Sequence, residues 1–185
     1  MKEKIIIGLT GMPGSGKATA RELLRKMGCA AVVMGDVIRE ETERRTLDLT
    51  PENMGKVMLK LRAEEGPEVV AKRCIPKIET AKENVVVIDG IRSLDEVNEF
   101  RRHFQNFSLI AIHASPETRF RRLFRRGRSD DPKNWITFME RDLRELSVGL
   151  GSVIAMADHM VVNEGTNAGL RRRVSQILEG KVSGE

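Results

Sequence analysis

Tyrosine is missing from the 185-residue chain, tryptophan occurs once, and aromatic residues make up 4% of the whole. A surface that holds single-stranded RNA by stacking bases on aromatic rings therefore has little to draw on. Cysteine is almost as scarce. Cys29 and Cys74 stand far apart with no C-x-x-C spacing, which signals neither a disulfide framework nor a zinc module and is the pattern of reduced thiols in a cytoplasmic protein. His103, His113 and His159 are isolated from one another and from cysteine, so no metal centre is expected from them. Long apolar runs are missing too: the amino-terminal one covers only about five residues before glycines interrupt it, too short for a signal peptide or a membrane span. No internal repeat, low-complexity tract or linker divides the chain, and residues 1–185 read as one domain.

Charge is plentiful. It makes up 32% of the residues, with a net value of +5. The positive excess gathers in Arg101-Arg102, in FRRLFRRGR at 120–128 and in RRR at 171–173. Such clusters suit a polyanion, whether nucleotide phosphates or RNA.

Five short, near-continuously apolar runs recur, at 4–9, 30–34, 85–89, 108–114 and 159–162, as strands buried on both faces should. Helical patterns alternate with them. Thr50-Pro51 and Ser115-Pro116 pair an N-cap with proline at the first helical position, Ser93 to Glu96 form a capping box, and Thr166 can cap the last helix. This alternation predicts an α/β fold with a parallel sheet, helices on both faces and ligands at the carboxyl ends of the strands. The interval 36–83 is the one long excursion. It reads as two or three helices bent near Gly66-Pro67 and Pro76, standing proud of the sheet. The tail KVSGE should fray.

The chemistry starts at GLTGMPGSGKAT, residues 8–19. Gly11, Gly16 and Lys17 fit the P-loop pattern G-x-x-x-x-G-K-[ST], in which backbone N–H groups, a helix N-terminus and a lysine cradle phosphate. Ala18, however, stands where the Mg²⁺-binding hydroxyl belongs. Two further segments follow strands: MGDVIR at 34–39 and VVVIDGIRS at 85–93. On the residues alone, Asp36 and Asp89 can equally be helix caps, and Arg39, Arg122 and Arg126 solvated helix charges.

GMPGSGKAT resembles the adenylate kinase loop G-x-P-G-x-G-K-G-T, which also lacks a hydroxyl directly after its lysine. The resemblance implies an ATP site made by Gly11, Met12, Pro13, Gly14, Ser15, Gly16, Lys17, Ala18 and Thr19, with Mg²⁺ held largely through waters and the nucleotide's own phosphates. MGDVIR resembles that family's acceptor segment T-G-D-M-L-R, and IDGIR its D-G-F-P-R with one residue fewer before the arginine. Asp36, Arg39 and Arg92 thereby inherit acceptor binding, and Asp89 an orienting role toward Mg²⁺ through water. Arg122 inherits a place beside ATP. Arg126, Arg128 and Arg141 inherit places around the transferring phosphoryl, although the spacing to Arg141 differs from the family's and the segment 127–134 is too short for a zinc-bearing lid. The tail ADHMVVNEGT at 157–166 is similar to the last strand and adenine-side loop of nucleotide and dephospho-coenzyme A kinases. The whole is most similar to archaeal P-loop proteins related to adenylate kinase.

The resemblance implies a three-layer P-loop fold with sheet order 2-3-1-4-5, an acceptor-binding helical insertion at 36–83 and a short lid at 119–141. It implies transfer of the γ-phosphoryl of ATP to a nucleoside monophosphate, AMP foremost. Two alternatives stay open: a kinase for another small metabolite such as dephospho-coenzyme A, with Asp36 as base, and an ATP-dependent switch that docks RNA or a ribosomal partner.

Overall fold

The computed structural model describes residues 4–128 and 130–183. All five apolar runs form strands: β1 (Ile5–Thr10), β2 (Ala30–Val33), β3 (Val85–Asp89), β4 (Phe107–His113) and β5 (His159–Val162). They pair in parallel in the order β2-β3-β1-β4-β5. Side chains alternate across this sheet. Ile6, Val86, Ile88 and Leu109 therefore enter one buried cluster, while Ile5, Ile7, Leu9, Val87, Ile110 and Ile112 enter another on the opposite face. Helices α1 (Lys17–Lys26) and α9 (Asn167–Ser183) cover the second face through Ala20, Leu24, Leu170 and Val174. This is the three-layer P-loop arrangement, with the chain's direction across the sheet reversing around β1.

The excursion between β2 and β3 is α2 (Met34–Arg44), α3 (Pro51–Glu65) and α4 (Val69–Glu79). Gly66 at φ +98° ends α3, as expected. Pro76 does not end α4, which runs past it to Glu79 and keeps Ile75 and Ile78 buried on either side. Nor do these helices stand clear of the sheet: Val57, Leu61, Val70, Cys74 and Ile78 share one continuous apolar cluster with β1 and β3, because their inward stripe has nowhere else to hide from water. At the heart of the three helices Glu41, buried, accepts hydrogen bonds from Arg44 and Arg45 of its own stretch and from Arg73 of α4 at 3.0 Å. These guanidiniums hold its carboxyl well below the usual range. Cys74 lies in the same core, its thiol pushed up to about 12 by burial, and Cys29 is likewise buried and free.

Every predicted cap is made. Thr50, Ser93 and Ser115 accept from backbone N–H groups at the starts of α3, α5 (Leu94–His103) and α6 (Pro116–Arg126), Ser93 within a full capping box. Thr166 accepts from the Gly169 N–H at the start of α9. That last helix continues through Ser183, so the tail is helical two residues beyond Lys181. The chain is completed by α7 (Trp135–Ser147) and α8 (Leu150–Ala155). Among the described residues no helix is long and apolar enough to cross a membrane.

Candidate phosphate site and its surroundings

The loop from Gly11 to Gly16 leaves β1 between its two neighbours, β3 and β4, and turns into α1. Its tightness is what demands glycine. A Cβ at Gly16, whose φ is +109°, would sit 2.3 Å from Asn163 Nδ2, and one at Gly14 would sit 2.8 Å from the Arg119 carbonyl of α6. The helix that follows has no side-chain cap, so its leading N–H groups remain available to an anion. Lys17 Nζ donates to the Gly11 and Met12 carbonyls at 2.5 and 3.2 Å. Its pKa is lowered to about 8, first by burial; Asp89 and Glu145 oppose that shift, and Arg92 and Arg119 add to it. Ser15 Oγ is buried with no partner, Thr19 is half-buried and Ala18 is exposed.

Arg122 reaches this loop: its guanidinium donates to Ser15 O at 3.3 Å and to Asn163 O at 2.8 Å. Arg92 lies among the charges that act on Lys17, and its Nη1 stands 3.6 Å from a Glu145 carboxylate oxygen. Asp89 ends β3 opposite Leu9 of β1, directly beside the loop, and does not cap α5, which Ser93 caps. Asp36 and Arg39 belong to the first two turns of α2, joined to each other in an ion pair whose members are both about half-exposed. Val33, not Asp36, is the N-cap there.

Arg126 and Arg141 make their contacts elsewhere. Arg126 grips Asp131 with two bonds, at 2.8 and 2.5 Å, and Arg141 donates to Asp130 O at 2.9 Å and lies 3.6 Å from Asp131. The Asp131 carboxylate, buried, also accepts from the Arg128 N–H at 3.0 Å and is held below the usual range, first by Arg126. Asp130 and Asp131 are thus internal counter-ions for the Arg126 and Arg141 guanidiniums. The Arg128 residue is exposed, and Ser129 lies outside the described residues.

Four participants escaped sequence reasoning. Arg21, one turn beyond Lys17 on α1, donates to Asp89 Oδ2 at 2.8 Å. Asn163, just after β5, donates to Ser15 O at 2.8 Å and so clamps the loop from the carboxyl end of that strand. Arg119 is buried, bonded to Pro13 O, Ala114 O and Asp142. Glu145 shares the inward face of α7 with Phe138 and Asp142, a spacing of i, i+4, i+7 that was readable, whereas nothing local marks the other three.

The donor set fits a nucleotide polyphosphate: a glycine cradle, an uncapped helix start, an ammonium group and several guanidiniums. It fits a directly bound magnesium ion poorly. Position 18 has no hydroxyl, the Asp89 carboxylate is engaged by Arg21, and no cluster of three His, Cys, Asp or Glu side chains suited to a metal occurs among the described residues.

Four of the chain's seven aromatics, Phe120, Phe124, Trp135 and Phe138, gather where α6 meets α7, with ring centroids 5.1 to 5.8 Å apart. Phe124 and Trp135 are exposed. Scarcity in the composition is therefore not scarcity at this surface.

Compared with known proteins, residues 10–138 match the model of an AAA domain (AAA_17). A UPF0200 protein from Methanocaldococcus jannaschii is 50% identical over 177 residues, covering 95% of this chain and 89% of that relative. Of solved structures, TT1252 from Thermus thermophilus is similar with a TM-score of 0.68 at 20% identity, covering 96% of this chain and 98% of that one. A shikimate kinase from Bacteroides thetaiotaomicron reaches a TM-score of 0.59 at 19% identity, covering 95% and 98%. Likeness at that level of identity establishes the fold, that of P-loop kinases.

Proposed function

The chain belongs to the UPF0200 family, and on that footing we propose that it is an ATP-dependent phosphotransferase whose acceptor is a nucleoside monophosphate, AMP foremost. The observation that carries this reading is that the segment Asp89-Gly90-Ile91-Arg92 runs alongside the end of the P-loop strand, with Asp89 opposite Leu9 and the Gly90 N–H donating to Leu9 O at 3.2 Å, so that Arg92 acts on the charge of Lys17. Phosphoryl transfer asks a protein chiefly for positioning and charge neutralisation. Lys17, the α1 N-terminus and Arg122 serve the donor phosphates, and Arg39 and Arg92 the acceptor phosphate. Arg126, Arg128 and Arg141 reach the transferring group when lid contacts to Asp130 and Asp131 are exchanged for phosphate. An acceptor phosphate is already an anion at neutral pH and needs no general base.

An acceptor hydroxyl, as in dephospho-coenzyme A, needs a carboxylate instead. Asp36 is the sequence's candidate, and Glu145, near Lys17, is a second.

A second reading, an ATP-dependent switch on RNA, is favoured by one observation. Arg121 and Arg125 have no carboxylate partner among the described residues, and they flank the exposed Phe124 in a groove of about 500 Å³ on α6. Guanidinium and aromatic faces together suit a base and its phosphate.

The test is ADP formation from ATP in the presence of nucleoside monophosphates, dephospho-coenzyme A or RNA, with wild type, Arg39→Ala and Arg92→Ala. AMP should stimulate turnover, and loss of either arginine should weaken AMP by about ten- to a hundredfold while ATP affinity changes little. Stimulation by RNA alone replaces the kinase reading with the switch.

A further inference from the structure

Arg21 projects from α1 one helical turn after Lys17, on the same side of the helix, and its Nη1 meets Asp89 Oδ2 at 2.8 Å. Asp89 is buried, at 7% exposure, at the end of the strand next to the loop. A buried carboxylate requires a counter-charge, and Arg21 supplies a permanent one from inside the protein. The carboxylate of Asp89, which also acts on Lys17, is thus already paired through one oxygen with a cation of α1. At the same time Ala18 removes the hydroxyl that other P-loops offer a metal. Position 18 thus offers a metal no side-chain ligand, and the strand-end carboxylate beside the loop already holds a permanent cation.

We propose that Arg21 is a built-in counter-ion which takes the place of a divalent cation at Asp89, so that the site binds a nucleoside di- or triphosphate with little dependence on magnesium. The proposal rests on the reading of residues 11–19 as a phosphate site. Without the guanidinium, Asp89 would present an uncompensated negative charge close to the bound phosphates, and a metal would be needed to screen it. Arg21 is accordingly a positioning residue: it acts through Asp89 and need not touch the nucleotide.

ADP binding measured calorimetrically, with EDTA or with millimolar Mg²⁺, tests this. For the wild-type protein the two dissociation constants should agree within about threefold. In Arg21→Met, binding in EDTA should weaken by about tenfold or more, and Mg²⁺ should restore most of it. The double variant Arg21→Met/Asp89→Asn should lose this metal dependence again, because the charge that called for the metal is gone. Arg21→Lys, which keeps the charge, should stay close to wild type and serves as the informative variant where the methionine variant melts early. A wild-type protein that already gains tenfold or more from Mg²⁺ overturns the proposal, as does an Arg21→Met protein whose metal dependence equals that of wild type. Failure of the phosphate-site reading looks different: the wild-type protein binds no ADP under either condition.

Discussion

Arg119 and Asp142 are joined by two parallel bonds, Nη1 to Oδ1 at 2.7 Å and Nη2 to Oδ2 at 2.5 Å, and both side chains are buried. The same guanidinium donates to Pro13 O in the glycine loop at 3.3 Å and to Ala114 O at 3.1 Å, and lies over the Phe138 ring at 5.0 Å. One arginine of α6 therefore couples the phosphate cradle to α7. Helix α7 and the loop are held in register by a buried charge pair.

Removal of one partner strands the other charge in the interior, so Asp142→Ala should cost about 3 to 5 kcal/mol of folding stability. Replacing both, as in Arg119→Met/Asp142→Leu, should cost less than either single change, since no bare ion remains. Urea unfolding of the three variants measures this; single and double variants of equal stability would show that the pair contributes packing alone.

The pKa of Lys17, about 8, gives binding and stability opposite pH dependences. Phosphate is held by the ammonium form, so ADP affinity should fall as pH rises from about 7 to about 9, and this fall should vanish in Lys17→Ala, whose affinity is lower by about ten- to a hundredfold at about pH 7 and closer to wild type at about pH 9. Without ligand the unfolded chain keeps this proton up to the ordinary lysine range while the folded one releases it near 8. The unfolded state then binds more protons, and the lysine's contribution to stability rises with pH through that window. Calorimetric titrations and thermal melts across that range check the two signs independently.

The fold and the cradle were legible in the sequence because their signals are local. Apolar runs of four to seven residues gave the strands, Thr50, Ser93, Ser115 and Thr166 gave helix starts, and GMPGSGKAT gave the loop. What was not legible depends on side chains that meet only after folding. Arg21 and Asp89 are 68 positions apart, Asn163 and Ser15 are 148 apart, and no periodicity announces either bond. Arg126 and Arg141 show the converse. Their motif was visible, but local attraction to Asp130 and Asp131 decides where their guanidiniums rest. The same reasoning explains the excursion at 36–83, which is helical as its sequence predicts but packs against the sheet through the apolar stripe of α4 instead of standing proud of it.

Glu41 should make the helical excursion acid-sensitive. Its carboxyl is held far below the ordinary value, first by Arg44. Stability from this group is complete above the unfolded-state value of about 4.5 and drains away as pH falls below it. Glu41→Gln should be less stable at neutral pH, because three guanidiniums lose their shared partner, and its stability should decline less than that of wild type on acidification from about pH 5 to about pH 3. Urea unfolding at a series of pH values tests the difference; parallel curves for the two proteins would assign acid sensitivity to other carboxylates.

Gly16 is where the loop's backbone and the β5 side of the fold constrain each other. Its φ of +109° disfavours any L side chain, and a Cβ there would lie 2.3 Å from the Asn163 amide nitrogen that donates to Ser15 O. Gly16→Ala must therefore both strain the backbone and push Asn163 off the loop carbonyl. The strain costs about 1 to 3 kcal/mol, and the lost bond to a buried carbonyl adds about 1 to 3 kcal/mol. The two effects separate in a double variant. Asn163→Ala in the Gly16→Ala background removes the collision and leaves the strain, so it should recover part of the lost stability, although Asn163→Ala alone is destabilising. ADP affinity should follow a different order: poor in both proteins that carry the Gly16→Ala change, because the first N–H groups of α1 no longer point into the cradle, and better preserved in Asn163→Ala alone. If Gly16→Ala matched the wild-type protein in both melting temperature and ADP affinity, the loop would be free to relax around a side chain, and the close approach of Asn163 would not be what fixes its shape.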